Sequence, residues 1–460
     1  MKPITPAVAA TLLLAGCTLG PDYHRPAVDA PAFKETAEWK RAQPAASEPR
    51  GAWWKVFGDS TLNRLQDQLE ISNNNLLAAA AQYRQAQATA AIANAALFPT
   101  LTGNAAGDRA QTAGHANVQG ALQNTFSLGA ALNWEIDLWG RVRRGTEAVH
   151  ANTEAAADDL ESVRLSSHAL LAQTYFSLRV ADAQQLLYQR SISDYQRSLE
   201  IARNLFQQGI NTRADVATAE TQLKSAEAQS TDLKLQRAQL EHAIATLVGK
   251  PPAALSIAPS DLTTKPPTAP QLIASRQLER RPDIAAAERR LASACAQIGI
   301  AEAGFFPVIS LTGSAGFQHP SLANLIEEPS KVWAFGAAAS GPIFDAGATR
   351  GKVAQARAAY DQSLATYRQT VLTAFQEIED NLAANRLLAE EAARQDEAVK
   401  AAREATTIAL NQYKAGTASY LGVVVAQAAQ LNAERQTVSL LGRRLNASVV
   451  LFKTAGGKPS

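Results

Sequence analysis

The chain has 460 residues, with 44 Lys and Arg against 42 Asp and Glu, and its net charge of +2 lacks the basic excess of a nucleic-acid-binding protein. Charged residues make up 19 % and hydrophobic residues 46 %, the apolar share of a chain that buries a core. Two cysteines cannot build a disulfide framework or a cysteine-rich zinc site.

The first predicted element is an address. Lys2 precedes an apolar stretch, Ala7–Leu14, broken only by Thr11, and small residues lead into Cys17 (Leu14-Ala15-Gly16-Cys17). Even counted from Ile4, at roughly 13 residues, the segment is too short to span a bilayer, which needs about 20. The pattern resembles a bacterial lipoprotein signal. That resemblance implies cleavage after residue 16 and acylation of Cys17, with 17–59 as a lipidated N-terminal segment; Thr18 in place of Asp implies sorting to the outer membrane. Cys295 is then a lone thiol on an Ala-rich helix and reads as a small buried hydrophobe. No later segment reaches 18 uninterrupted apolar residues, so no transmembrane helix is expected.

The rest of the chain is written twice, as repeat 1 (60–248) and repeat 2 (272–454). Rare residues recur at a near-constant offset: Leu97-Phe98-Pro99 answers Phe305-Phe306-Pro307, Asp137 answers Asp345, Gly209 answers Gly416 and Arg237 answers Arg444. Between the copies, a connector over 249–271 holds Pro251, Pro252, Pro259, Pro266, Pro267 and Pro270, which excludes a helix. A short tail, 455–460, closes the chain.

Each copy predicts the same elements in the same order. A helix ends at the Phe-Pro pair, since the residue before proline avoids the α region. Two strands follow: Thr100–Gly107 and Asn124–Asp137 in the first copy, Pro307–Phe317 and Val332–Asp345 in the second. Then comes a very long helix, about Arg141–Gln207 and about Ala348–Lys414, each on the order of 100 Å at 1.5 Å per residue. A glycine turn sends the chain back along a return helix. In the first copy that helix carries a seam spaced three and four: Val216, Ala219, Leu223, Ala226, Ser230, Leu233, Arg237, Leu240, Ile244 and Leu247. Helices this long must pack side by side. Taken alone, they fit a long antiparallel coiled coil with no cavity equally well.

The strands decide more. Phe126, Leu128, Ala130, Leu132, Trp134 and Ile136 alternate with Thr125, Ser127, Gly129, Ala131, Asn133 and Glu135. Trp333, Phe335, Ala337, Ala339 and Ile343 share one side of the fourth segment, and Ile309, Leu311 and Phe317 one side of the third. Their lengths suit transmembrane strands of about 9–11 residues, with Trp134, Trp139 and Trp333 towards the ends, where interfacial aromatics sit. Four strands cannot close a barrel, and an open edge in lipid leaves backbone groups unpaired. Membrane insertion therefore requires two copies or more, whereas two water-soluble hairpins packed on helices need no partner.

Taken together these features are similar to the TolC-like outer-membrane factors of tripartite efflux and secretion systems, and among them the lipoprotein efflux branch (NodT-type). The resemblance rests on Cys17-Thr18-Leu19-Gly20-Pro21-Asp22-Tyr23, Trp53-Trp54-Lys55-Val56-Phe57, Asp137-Leu138-Trp139-Gly140-Arg141, Arg281-Pro282-Asp283-Ile284 and Phe305-Phe306-Pro307-Val308-Ile309. It implies a mainly α fold with membrane β: two tandem repeats, each with long antiparallel coiled-coil helices and a β-hairpin. It also implies a homotrimer forming a 12-stranded β-barrel and a 12-helix periplasmic α-barrel. The partners implied are a periplasmic membrane-fusion adaptor, an inner-membrane pump of the resistance–nodulation–division type and outer-membrane lipid, with no nucleic acid.

In that family the helix-turn-helix tips form the periplasmic gate and adaptor-docking surface. Here they contain Gly209, Asn211, Thr212, Arg213 and Asp215 in the first repeat, and Gly416, Thr417, Ser419, Tyr420, Leu421 and Gln427 in the second. Relatives commonly carry Asp where this chain has Gly422 and Val425, so a carboxylate ring at those positions is not expected; closure by apolar and Tyr420 contacts is, with Asp215 and Arg213 as the charged candidates. The sequence has no phosphate loop, zinc helix or nucleophile elbow, and its six histidines lack ligand spacing, so no enzyme activity, cofactor or metal is expected. The reading is an exit duct for an efflux pump. The alternatives are a same-fold duct for a type I secretion or metal-ion system, and a lipid-anchored coiled-coil scaffold without a pore.

Overall fold

Two stretches of 67 residues, each without proline and with a single glycine near the start, have nothing to interrupt a helix. In the computed structural model, which describes residues 18–27, 51–111, 113, 121–267 and 281–454, both are unbroken. The elements run α1 (Ser60–Ser72), α2 (Asn74–Ala95), β1 (Thr100–Gln111), β2 (Leu122–Ile136), α3 (Arg141–Gln207), α4 (Arg213–Leu247), α5 (Pro282–Ala303), β3 (Val308–His319), β4 (Lys331–Ser340), α6 (Ala348–Lys414) and α7 (Tyr420–Thr454). Both long helices start on the same device. The carboxylates of Asp137 and Asp345 accept the free amides of Arg143 and Thr349, each at 2.8 Å, just after a glycine with positive φ (Gly140, +79°; Gly347, +91°).

The chain divides into two compact units. One draws on residues 1–27, 82–157 and 286–368 and contains the sheet. Its four antiparallel strands lie in the order β1-β2-β3-β4. Facing residues in the register share a side, and one side is apolar over most of its length: Leu101 faces Leu132, Trp134 faces Leu311, Ile136 faces Ile309, Leu128 faces Phe317, and Gly313 faces Phe335, with Arg109, Asn124, His319 and Lys331 at one end. The other side carries Thr102, Asn104, Ser127, Asn133, Glu135, Ser310, Thr312 and Ser314.

Two strand ends differ from the sequence expectation by more than two residues. β1 runs to Gln111, past Gly107, because β2 pairs with it along its whole length to Leu122. β4 stops at Ser340, short of Asp345: the next residues are Gly341 and Pro342, and proline has no N–H for the ladder. Ile343 therefore leaves the strand face expected for it and is fully exposed.

The other unit draws on 28–81, 158–285 and 369–460. Its core gathers Trp53, Phe57, Leu62, Leu65, Leu69, Phe176, Val449 and Phe452. Trp53 and Phe57 come from a single 3-10 turn, Trp53–Phe57, and the Trp53 ring stacks on Phe452 at 6.4 Å. The described part of the proline connector begins with a 3-10 turn, Pro252–Ala254, and is held by charge: Asp182, 2 % exposed at its side chain, accepts from Arg179 (2.9 Å) and Arg237 (2.6 Å), while Arg179 also donates to the Ala258 carbonyl. The seam residues Val216, Ala219, Leu223, Ala226, Ser230 and Leu233 are buried, whereas Arg237 is in the seam to serve this ion cluster.

Candidate functional site

In the sheet, β2 and β3 are paired on both sides, while β1 and β4 each present one unpaired edge. The apolar face is exposed as well: Trp333 is 75 % and Phe335 84 % accessible, and Leu101 is 72 %. Two tryptophans anchor the strand bases through their ring N–H groups, Trp134 to the Leu97 carbonyl (3.1 Å) and Trp139 to the Pro307 carbonyl (2.8 Å), and Trp139 stacks on Phe306 at 4.6 Å. Both Phe-Pro pairs thus mark where helix turns into strand. An apolar, aromatic-bordered face beside two open edges can be satisfied by lipid on the face and by further strands at the edges.

The N-terminal segment after residue 17 lies in the same unit, while Cys17 itself is outside the described residues. Leu19 N–H donates to the Trp139 carbonyl (3.2 Å), and Arg144 donates to Leu19 O, Gly20 O and the Asp22 carboxylate. The fit is tight, since a Cβ on Gly299 would meet the Leu19 carbonyl oxygen at 2.6 Å. Cys295 is buried and donates weakly to Pro21 O at 3.6 Å. Burial pushes its thiol pKa up, as in an unreactive cysteine.

The two tips lie in the other unit and are built alike. Gly209 and Gly416 both sit at φ +71°, and each is followed by an amide that reaches back five residues: Ile210 N–H to Leu205 O (2.9 Å) and Thr417 N–H to Gln412 O (3.0 Å). These are Schellman turns, and the left-handed conformation is why glycine is needed. After the first turn, Thr212 and Asp215 form a capping box: Thr212 Oγ1 accepts the Asp215 amide (3.3 Å), and the Asp215 carboxylate accepts the Thr212 amide (3.1 Å). Asp215 is thereby committed to starting α4. Arg213 is exposed. Nearby, the hydrogen bond from Arg203 (2.8 Å) holds the Glu220 carboxyl below its usual range, with Arg213 adding to the effect.

Tyr420 and Gln427 are 1 % and 6 % exposed, so neither side chain is offered to an outside partner by this chain. Tyr420 packs on Tyr413 at 5.1 Å among Val216, Ala219, Val423 and Leu199, and burial pushes its phenol up to about 12. Gln427 Nε2 donates to Ser198 Oγ (3.1 Å), tying α7 to α3. Asn211 Nδ2 donates to both the Ala202 carbonyl (3.0 Å) and the Tyr413 hydroxyl (2.8 Å), tying the first turn to α6. These two links bind the helix pairs to each other at their ends. Gly209, Gly416, Thr417, Ser419 and Leu421 remain exposed, with Leu421 at 64 % and Val425, one turn on, at 61 %. Gly422 is also exposed, and a Cβ there would meet nothing within 4 Å.

Sequence reasoning missed Tyr413 and Ser198. Tyr413, three residues before Gly416, holds the place in the second repeat that Phe206, three residues before Gly209, holds in the first. Its hydroxyl, which Phe206 lacks, was the available signal.

A family model described as outer membrane efflux protein matches residues 65–250 and again 273–457. The chain belongs to the outer membrane efflux protein family. Solved members share its fold. The outer-membrane channel OprN superposes with a TM-score of 0.87 at 30 % identity, covering 96 % of this chain and 99 % of that one. The CmeC outer membrane channel of Campylobacter jejuni gives 0.88 at 27 %, covering 96 % and 95 %. The open state of the Neisseria gonorrhoeae MtrE outer membrane channel gives 0.81 at 28 %, covering 96 % and 98 %. Among relatives of named role, the solvent efflux pump outer membrane protein SrpC of Pseudomonas putida is 31 % identical over 97 % of each chain. The pyoverdine export outer membrane protein OpmQ of Pseudomonas aeruginosa is 29 % identical over 98 % of this chain and 96 % of its own. The TolC-like fold expected from the sequence is the fold of this family member.

Proposed function

We propose that this outer membrane efflux protein is the exit duct of a tripartite pump, passing substrates delivered through a periplasmic adaptor from an inner-membrane pump of the resistance–nodulation–division type. The observation that carries this reading is the four-stranded sheet with an exposed apolar face and two open edges. Three chains joining β4 to the β1 of the next give twelve strands and no free edge, the condition for spanning lipid. A homotrimer continued by twelve helices is an open conduit that needs no catalytic group or cofactor. Cys17 carries the acyl anchor on the periplasmic side, one residue before the segment held by Trp139 and Arg144.

The tips close the periplasmic end and meet the adaptor. Their exposed backbone and short side chains at Gly209, Thr212, Gly416, Thr417 and Ser419 form the docking surface, and the Asn211–Tyr413 and Gln427–Ser198 links hold the helix pairs in register behind it. Gly422 and Val425 leave the closed ring apolar.

The test is reconstitution of efflux. Expressed with its own adaptor and pump in a host lacking a duct, the chain restores extrusion of a fluorescent pump substrate, and the three proteins co-purify. Correct insertion in the outer membrane without restored extrusion or adaptor capture refutes the assignment.

A further inference from the structure

The duplication that built the sheet also sets how two copies of it can meet. Across β1 and β2, Thr100 faces Asn133; across β3 and β4, Val308 faces Ser340. Val308 lies 208 positions after Thr100, and Ser340 lies 207 after Asn133. β3 is therefore β1 advanced by 208, and β4 is β2 advanced by 207, the interval that also separates Gly209 from Gly416. The faces agree. Phe126 and Leu128 advance to Trp333 and Phe335, all on the apolar side, whereas a 208 interval would turn every β4 side chain over. Inside one chain, the β2–β3 pairing joins repeat 1 to repeat 2. Joining repeat 2 to repeat 1 of another copy repeats that pairing with both strands moved by these intervals. The Leu128–Phe317 pair then becomes Phe335–Arg109, and the Ile136–Ile309 pair becomes Ile343–Leu101.

We infer that β4 meets β1 of a partner subunit in this one register, with Phe335 opposite Arg109 of the partner subunit, Ala339 opposite Ala105 of the partner subunit and Ile343 opposite Leu101 of the partner subunit. The choice of strands comes from the proposed duct; the alignment is new. Side-chain size selects the same alignment independently. On its apolar side β1 offers Leu101, Gly103, Ala105, Gly107, Arg109 and Gln111, so bulk sits only towards its ends. Along β4 and just past it the apolar side is again bulky only towards the ends: Phe335 and Ile343 are exposed, and Ala337 and Ala339 lie between them. In the inferred register Ile343 covers Leu101 of the partner subunit, and the Phe335 ring meets the stem and guanidinium of Arg109 of the partner subunit. On the polar side Ser340 comes opposite Asn104 of the partner subunit. A slip of two residues is the smallest that keeps the faces. It would set Ile343 against Pro99 or Gly103 and Phe335 against Gly107 or Gln111, leaving Leu101 or Arg109 uncovered in each case.

Paired cysteines test the alignment. Within one chain β1 and β4 are three strand spacings apart, roughly 14 Å, beyond the about 7 Å between Cα atoms that a disulfide can bridge. A bond between them therefore joins two copies. The aligned double variants are Ala105→Cys with Ala339→Cys, and Ala106→Cys with Ala338→Cys. Of two consecutive pairs one is not hydrogen-bonded, with Cα atoms about 4.5 Å apart, so at least one pair is close enough to link. The slipped variants are Ala105→Cys with Ala337→Cys, and Ala106→Cys with Ser340→Cys, one for each direction. Full-length chains in outer membranes are oxidised with copper phenanthroline and run on non-reducing gels, with each single-cysteine variant as background. An aligned pair is expected to give linked dimers and trimers, and both slipped pairs to stay at background. Faster linking at a slipped pair than at both aligned pairs overturns the register and leaves the duct standing. No linking at any of the four overturns the register and the shared-edge barrel together.

Discussion

Replacing Tyr413 by Phe removes one hydroxyl and leaves the ring. The ring is 4 % exposed and packed on Tyr420, so its burial and stacking survive the change. What is lost is the 2.8 Å bond from Asn211, whose Nδ2 keeps its second acceptor, Ala202 O. One neutral hydrogen bond contributes about 1 kcal/mol net, a factor of roughly five in an equilibrium between linked and separated helix pairs. Asn211→Ala removes both bonds and is expected to shift it by about 2 kcal/mol, roughly thirtyfold. The assay is the open-time fraction of single channels in planar bilayers. The expected order is Asn211→Ala above Tyr413→Phe above wild type, with the double variant no more open than Asn211→Ala, since the two side chains share one bond. Unchanged open time in Asn211→Ala, or additive effects in the double variant, refutes the role given to this link.

Three further outcomes follow from the same geometry. Gly422→Asp and Val425→Asp meet open space, so both are expected to fold normally and to raise cation over anion selectivity, read as a shift in reversal potential under a salt gradient. Gly299→Ala places a methyl 2.6 Å from the Leu19 carbonyl and is expected to cost about 1–3 kcal/mol and to free the segment after residue 17, seen as faster proteolytic loss of the N-terminus. Arg281, 7 % exposed, donates to Asp283 and Glu377 at 2.7 Å each, and Lys453 lies 3.2 Å from Glu377. Burial raises both carboxyl pKa values, but Arg281 and Lys453 outweigh it and hold both below their usual 3.8 and 4.5. Their contribution is present above those ordinary values and lost as pH falls through the lowered ones, so thermal stability is expected to drop steeply below about pH 4, less steeply in Glu377→Gln.

Much of this fold was legible because its signals are local. The ends of α3 and α6 fall where a Gly/Arg cluster and a glycine turn bracket a breaker-free run, and the β2 alternation needs only its own residues. The end of β1 was not legible: Asp108 and Arg109 look like a loop, and only pairing to Thr125 and Asn124 makes them strand. β4 was overread because Ile343 continues the apolar alternation past Pro342, where the ladder has no donor. At the tips, the turn glycines and the Thr212 cap announce themselves by type and position. Tyr420 and Gln427 did not announce their burial, which depends on α3 and α6 lying against α7, and neither did the Asn211–Tyr413 link, whose ends are 202 positions apart in the chain.

In the proposed duct the open edges of one sheet are satisfied only by other copies, and a water-filled passage results. Conductance of the purified full chain in planar bilayers tests it most directly. Discrete, long-lived current steps are expected from the trimeric fraction and none from dissociated chains. Silent trimers, or equal steps from single chains, contradict it.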